Sequence, residues 1–193
     1  MTAPVTVNKA EEVLVGKPLV SGGVYRAPSG TTLPADVTTA LDAAFKGVGY
    51  VVYGGVTQAI GASTTPLKAW GGSVVRVLQT EHNLTYALGL MQTNATNMAI
   101  YYGDASTTGD LTAGLTTKVT AAELEHASWV IELKDGDYRG RVVIEDGQVT
   151  ERGDVVYQDE DAAVLPITIT AFEAGDEAVK ATIMWKKDVA VGP

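Results

Sequence analysis

The chain has 193 residues, a length that suits one packed core with short extensions, since domains run roughly 100 to 200 residues. It contains no cysteine, which rules out disulfide frameworks, thiolate metal sites and cysteine nucleophiles together. The net charge is -9, and it is unevenly spread: residues 1–97 hold 6 basic and 5 acidic side chains, residues 98–193 hold 8 and 18, so the second half repels phosphate and is the wrong sign for gripping nucleic acid.

Residues 1–19 mix Val, Lys and Glu without a steady period and read as an arm. They lack a basic start followed by an apolar run, and no stretch of the chain approaches the roughly 18 consecutive apolar residues of a membrane span. Neither export by a signal peptide nor membrane insertion is expected.

Residues 20–27 are expected to form the first strand, and 28–34, rich in Pro, Ser, Gly and Thr, a loop. Asp36 is placed to cap a short helical turn in which Val37, Ala40, Leu41, Ala44 and Phe45 share one side, stopped by Gly47 and Gly49. Residues 50–56 read as a strand weakened by Gly54-Gly55, and 61–66 as a small-residue loop. A hairpin is expected from 74–80 and 84–91 around Glu81-His82-Asn83, with Leu84, Tyr86, Leu88 and Leu90 facing the core. Residues 94–102 carry the strongest helix pattern, closed by Gly103.

Residues 105–117, rich in Ser, Thr and Gly, read as a mobile loop, and the capping box Thr120-Ala121-Ala122-Glu123 points to a second short helix. From Trp129 the pattern is strands at 129–133, 138–145, 148–157, 165–172 and 178–185. Asp135-Gly136-Asp137 and Asp146-Gly147 read as hairpin turns and Asp159-Glu160-Asp161 as an acidic loop. The fold class is therefore mainly β, an antiparallel sandwich or barrel with one short flanking α-helix.

No constellation for bond-making emerges. No serine stands in Gly-x-Ser-x-Gly, and His82 and His126 each lack a second histidine at i+4, so both read as turn or surface residues without metal. Arg139 occupies a ligand position in the only stretch resembling a calcium loop. Gly16-Lys17-Pro18 lacks the upstream glycine of a phosphate loop, and Gly47-Val48-Gly49 lacks the third glycine of a dinucleotide fingerprint. Arg139 and Arg141 are expected to pair with Glu132 or Glu145 across a hairpin. No catalytic residue, cofactor or metal is expected.

Three segments carry a family resemblance: GKPLVSGGVYRAPSGTTLP at 16–34, KAWGGSVVRVLQTEHNLTYALGLMQTNA at 68–95, and IEDGQVTERGDVVYQDEDAAVLPITITAF at 144–172. Over about residues 16–185 the chain resembles the major tail proteins, or tail tube proteins, of long-tailed, non-contractile bacteriophages. Trp70-Gly71-Gly72 and Gly153-Asp154-Val155-Val156-Tyr157 match recurring motifs of that family closely. Residues 50–55 depart from it, where relatives usually carry an acidic, serine-containing segment.

The resemblance implies a β-sandwich that assembles as hexameric rings whose inner strands join in one lumenal barrel. Stacked rings make the tube through which the genome is ejected. It implies an N-terminal arm at 1–19, a tail-tube domain at 20–185 and a C-terminal tail at 186–193, with contacts between subunits at 28–48, 56–69 and beyond 185. The implied partners are further copies of the chain and the tape-measure, tail-terminator and tail-tip proteins, with genomic DNA passing without specific binding and no membrane involved. Assembly in host cytoplasm and residence in the virion tail follow. The acidic balance makes Asp159, Glu160 and Asp161 candidates for repelling DNA from the wall. Two other readings are an inner-tube subunit of a contractile injection system and a carbohydrate-binding β-sandwich. Against the second stand the missing signal peptide and three scattered tryptophans, at 70, 129 and 185.

Overall fold

The computed structural model describes residues 8–19, 22–175 and 178–187; residues 1–7 of the expected arm, 188–193 of the expected C-terminal tail and 20–21 of the expected first strand lie outside them. The strands are β1 (Lys17–Pro18), β2 (Val24–Pro28), β3 (Lys46–Gly47), β4 (Thr57–Lys68), β5 (Val74–Leu90), β6 (Thr107–Thr108), β7 (Thr116–Thr117), β8 (Ala127–Asp135), β9 (Tyr138–Arg152), β10 (Leu165–Ala171) and β11 (Thr182–Lys187), with one α-helix, α1 (Ala95–Tyr102), after β5. The main sheet runs β3-β2-β8-β9-β10-β5-β4, with β1 also beside β8 and β11 also beside β9. All its pairings are antiparallel. The fold is mainly β, as the sequence pattern implies.

β9 is the pivot. Residues from Tyr138 to Val143 pair with β11 on one side and β8 on the other, whereas from Gly147 onward the strand pairs with β10. The exchange of neighbours divides the sheet into two halves that share one core. Trp129, Ile131 and Ile144 from one half pack in the same cluster as Tyr86, Leu88, Leu90, Ile167 and Ile169 from the other. On the opposite face of the β2-β8-β9 half, Ala27, Phe45, Val130 and Val143 form a second cluster against Leu33, Leu41 and Ala44. β8 is thus buried on both faces, which explains its continuous apolar run Trp129-Val130-Ile131.

The sequence reading of Asp146-Gly147 as a turn is corrected by this pivot. β9 continues through both residues. A Cβ on Gly147 would lie 2.9 Å from Trp129 Cδ1 and 3.0 Å from Ile169 Cγ2, so glycine is there to admit the indole. The other Asp-Gly pair does turn the chain: Gly136 has φ 55° between β8 and β9.

Asp36 caps as expected, but no helix follows. Its Oδ1 accepts from the Thr38 hydroxyl at 2.8 Å and from the backbone N–H groups of Thr38 and Thr39 at 2.6 and 2.7 Å. These bonds, the Thr38 hydroxyl first, hold its carboxyl well below the ordinary carboxylate range. The carbonyls a helix would use are taken by Arg141, whose Nη1 donates to Asp36 O and, at 2.8 Å, to Thr39 O. Arg141 is itself 5% exposed and ion-paired with Glu132, its register partner, at 8%. The expected cross-hairpin pairing is therefore Glu132 with Arg141.

Other expectations shift for similar reasons. Residues 50–56 contribute a single bridge, Val51 to Leu90, before a turn in which Gly55 N–H donates to Val52 O at 2.8 Å. Thr120 starts no helix; the chain stays irregular there, burying Leu124 in the core while its carbonyl accepts from Gln148 Nε2 at 2.7 Å. Residues 105–117 include the small hairpin β6-β7. α1 matches its pattern: the Asn94 side chain accepts from Asn97 N–H at 2.8 Å, and Gly103, φ 107°, closes it by donating to Ala99 O at 2.8 Å.

Two stability measurements check this account. Gly147→Ala should lower the free energy of urea unfolding by about 1–3 kcal/mol through overpacking against Trp129. Arg141→Leu, which strands a buried Glu132 and frees the 36–39 segment, should cost about 3–5 kcal/mol. A change within about 0.5 kcal/mol for either would contradict the packing described.

Candidate assembly surface

The strands expected at 74–80 and 84–91 are one strand, β5, and the turn lies at Ala69–Ser73 instead of Glu81-His82-Asn83. Ala69 N–H donates to Ser73 O at 2.8 Å, and Gly71 and Gly72 supply φ 105° and 89°. Residues 61–66, expected as a loop, belong to β4. Pro66 is tolerated because β4 has β5 as its only neighbour among the described residues.

The consequence is a two-stranded ribbon. From Leu84 to Ala87, β5 is flanked by β10 on one side and β4 on the other, and toward Leu90 the segment at Val51 and Val52 takes the place of β4. From Val74 to Asn83 it pairs with β4 alone, so ten residues, about 34 Å of extended chain, leave the body with one neighbour. Every residue of β4, and of β5 up to Asn83, is exposed. Among them are Ile60 at 63%, Val75 at 66%, Leu67, Val74 and Val77, with Trp70 fully exposed in the turn. A lone hairpin in water is at best marginally stable, and an exposed apolar edge invites pairing with another chain.

The half-sheet β9-β10-β5-β4 also has one face that is open except beside Gly89, where Val52 and Val164 cover it. Its inward positions, Leu84, Tyr86, Leu88, Ile167 and Ile169, lie in the core; the alternating positions Thr85, Ala87, Thr168 and Thr170 face away. Thr170 shares a 2.7 Å hydroxyl contact with Thr150 on β9, and Glu151 is paired opposite Thr168. An open groove of about 390 Å³ runs along this face, between Val52 and Gly55 on one side and Glu151 and Pro166 on the other.

Register assigns the remaining segments to ends. Leu90 pairs with Leu165, and Ile167 with Arg152, so the connection 153–164 lies at the Leu90 end of the half-sheet, opposite the ribbon. Asp159, Glu160 and Asp161 sit there on an exposed bend. Val51 bridges Leu90, which puts exposed Tyr50 and Tyr53 at the same end, together with exposed Val156 and Tyr157. The acidic triad and an exposed aromatic group thus share one end of the half-sheet, which pattern reading alone does not show. Tyr101 anchors this end, its hydroxyl donating to Gly153 O at 2.5 Å, and burial raises its pKa.

The two histidines are apart. His82 lies exposed on β5 within the ribbon's base, and His126 Nδ1 stands 2.6 Å from Asp146 Oδ1. Among the described residues no group of three or more His, Asp or Glu side chains is arranged to hold a metal ion. Nor, among them, is any helix long and apolar enough to cross a membrane.

A family model described as "Phage tail tube protein" matches residues 7–191. The chain belongs to the phage tail tube protein family. It is therefore a structural component of a virion tail. No curated protein is similar to it. Among solved structures, the tube-terminating cap of an anti-feeding prophage is similar at 12% identity and TM-score 0.43, covering 95% of this chain and 99% of that one. The sheath/tube terminator of an extracellular contractile injection system in its extended state is similar at 11% identity and TM-score 0.41, covering 89% and 99%. Likeness at that level bears on neither partners nor tail type.

The ribbon's exposure has a direct consequence for the tail tube subunit when dilute. Limited trypsin treatment should cut first after Lys68 and Arg76, near the ribbon's turn, before any site in β8 or β9. First cuts after Arg139 or Arg152 would show that the ribbon is protected within the single subunit.

Proposed function

We propose that this chain is the wall subunit of the tail tube of a long-tailed, non-contractile bacteriophage, forming stacked hexameric rings that conduct the genome during ejection. The ribbon carries this reading: it extends beyond the body with apolar side chains and backbone edges that the subunit leaves unsatisfied, and a second copy supplies both missing components. The non-contractile assignment rests on the family resemblance of residues 16–34, 68–95 and 144–172. On this reading residues 20–185 act as the tail-tube domain, to which Lys17–Pro18 and Lys186–Lys187 are paired as strand, the rest of the segments 1–19 and 186–193 reaches neighbouring copies, and tape-measure, terminator and tip proteins bound the tube. Assembly takes place in the host cytoplasm.

The bore-facing surface, on the same reading, is the open face of β9-β10-β5-β4. Threonine and alanine dominate its outward positions, and Glu151 supplies a carboxylate. Arg152, its Nη1 donating to Tyr101 O at 3.2 Å, is the one cation lining the groove among the described residues, and Thr57, Thr168 and Glu151 are its other polar side chains, so phosphate meets few of the contacts that make protein adhere to DNA. Asp159, Glu160 and Asp161, expected to repel DNA on charge alone, belong to the end of this face, so Glu151 is the better placed carboxylate for that role.

Electron microscopy of concentrated, purified protein tests the reading. The intact chain should form tubes. A variant in which residues 61–83 are replaced by a short turn should remain a folded subunit by circular dichroism and form none. Tubes from the shortened chain, or persistent monomers from the intact one at millimolar concentration, would overturn it.

A further inference from the structure

The ends of β5 differ in charge as well as in shape. Residues 64–79, the outer part of the ribbon, contain Lys68 and Arg76 and no acidic side chain. Residues 153–164, at the opposite end, contain Asp154, Asp159, Glu160 and Asp161 and no basic one. Among the described residues neither Lys68 nor Arg76 takes part in an ion pair, and the only hydrogen bond of the triad's carboxylates is the one Asp161 accepts from the adjacent Ala162 N–H at 2.8 Å. Each end also exposes aromatic surface: Trp70 in the ribbon's turn, Tyr53 and Tyr157 at the other end.

The two charged surfaces cannot meet within one chain. β5 runs 17 residues between them, roughly 55 Å when extended. Between two copies arranged head to tail they meet directly, and a heterologous contact of this kind propagates as a filament instead of closing on itself.

We infer that the ribbon tip of one copy docks on the 153–164 connection of a copy in the next ring. Lys68 and Arg76 pair with Asp159, Glu160 and Asp161, and Trp70 packs against the tyrosines at the same end. The inference rests on the tube reading and adds to it the polarity and chemistry of stacking. It assigns the acidic triad to the contact between rings, where opposite charges steer the approach and select the register while the aromatic groups supply burial.

Charge reversal tests it. Lys68→Glu/Arg76→Glu should raise the concentration needed for tubes about tenfold or more, and so should Asp159→Lys/Asp161→Lys, with each free subunit unfolding at the wild-type temperature. Combining both pairs in one chain should restore assembly to within about threefold of wild type. Electron micrographs of the single reversals should show isolated rings in place of tubes. Single reversals that assemble like the wild type, a combined variant no better than either, or loss of rings along with tubes would overturn the docking while leaving the tube reading intact. Failure of the wild-type chain to form tubes would instead defeat the tube reading itself.

Discussion

Backbone groups in a β-strand have to be paired, and the β4-β5 ribbon is where this chain leaves that requirement unmet. The central strands β8, β9 and β10 have neighbours on both sides, while each strand of the ribbon has only the other as partner and no packed face. Burying a Val, Leu or Ile side chain fully yields about 1.5–3 kcal/mol, and the ribbon's groups are already partly covered, so five of them and Trp70 offer a gross gain of roughly 5–10 kcal/mol. Association costs roughly 4–15 kcal/mol before any contact is credited. One ribbon contact therefore holds two copies weakly, whereas a ring that engages several at once turns later contacts into intramolecular ones. Such arithmetic favours a subunit that stays soluble until assembly is nucleated and then polymerises cooperatively.

The rest of the fold supplies a firm base for that projection. β9 passes from one half-sheet to the other and lets both share a core, with Gly147 making room for Trp129 at the crossing. Arg141, buried and paired with Glu132, draws the 36–39 segment down by its carbonyls and holds the cover over the second cluster. At the base of the ribbon, Lys180 Nζ donates to His82 O, tying the approach to β11 to the point where β5 leaves β10. A packed body with one long projecting ribbon gives the subunit an extended contact surface that its own core does not use.

How much of this was legible in the sequence depended on whether a residue's role was local. Asn94 and Gly103 mark α1 because caps are set by nearest neighbours. Leu84, Tyr86, Leu88 and Leu90 alternate because one face is buried. Asp146-Gly147 misled because glycine serves two purposes, positive φ and missing volume, and the indole that needs the volume comes from another strand. The ribbon was missed for the opposite reason: its residues contact little within the chain, so their polar and apolar order obeys neighbours outside it. Gly61, Ser63 and Pro66 look like a loop by composition, and the true turn, Trp70-Gly71-Gly72, was visible chiefly as a family motif. The acidic triad was legible as charge, but its place at the same end of the half-sheet as Tyr50, Tyr53 and Tyr157 required the strand register.

Hydrogen exchange of the backbone amides in residues 57–83, measured on the dilute subunit and on assembled tubes, addresses the central claim most directly. Unpaired and marginally paired amides should exchange rapidly in the dilute subunit, while those of β8 and β9 are slow; in tubes the ribbon should become protected to a degree comparable with the body. Protection already present in the dilute subunit, or none gained on assembly, would contradict a ribbon that completes its pairing and packing in sister copies.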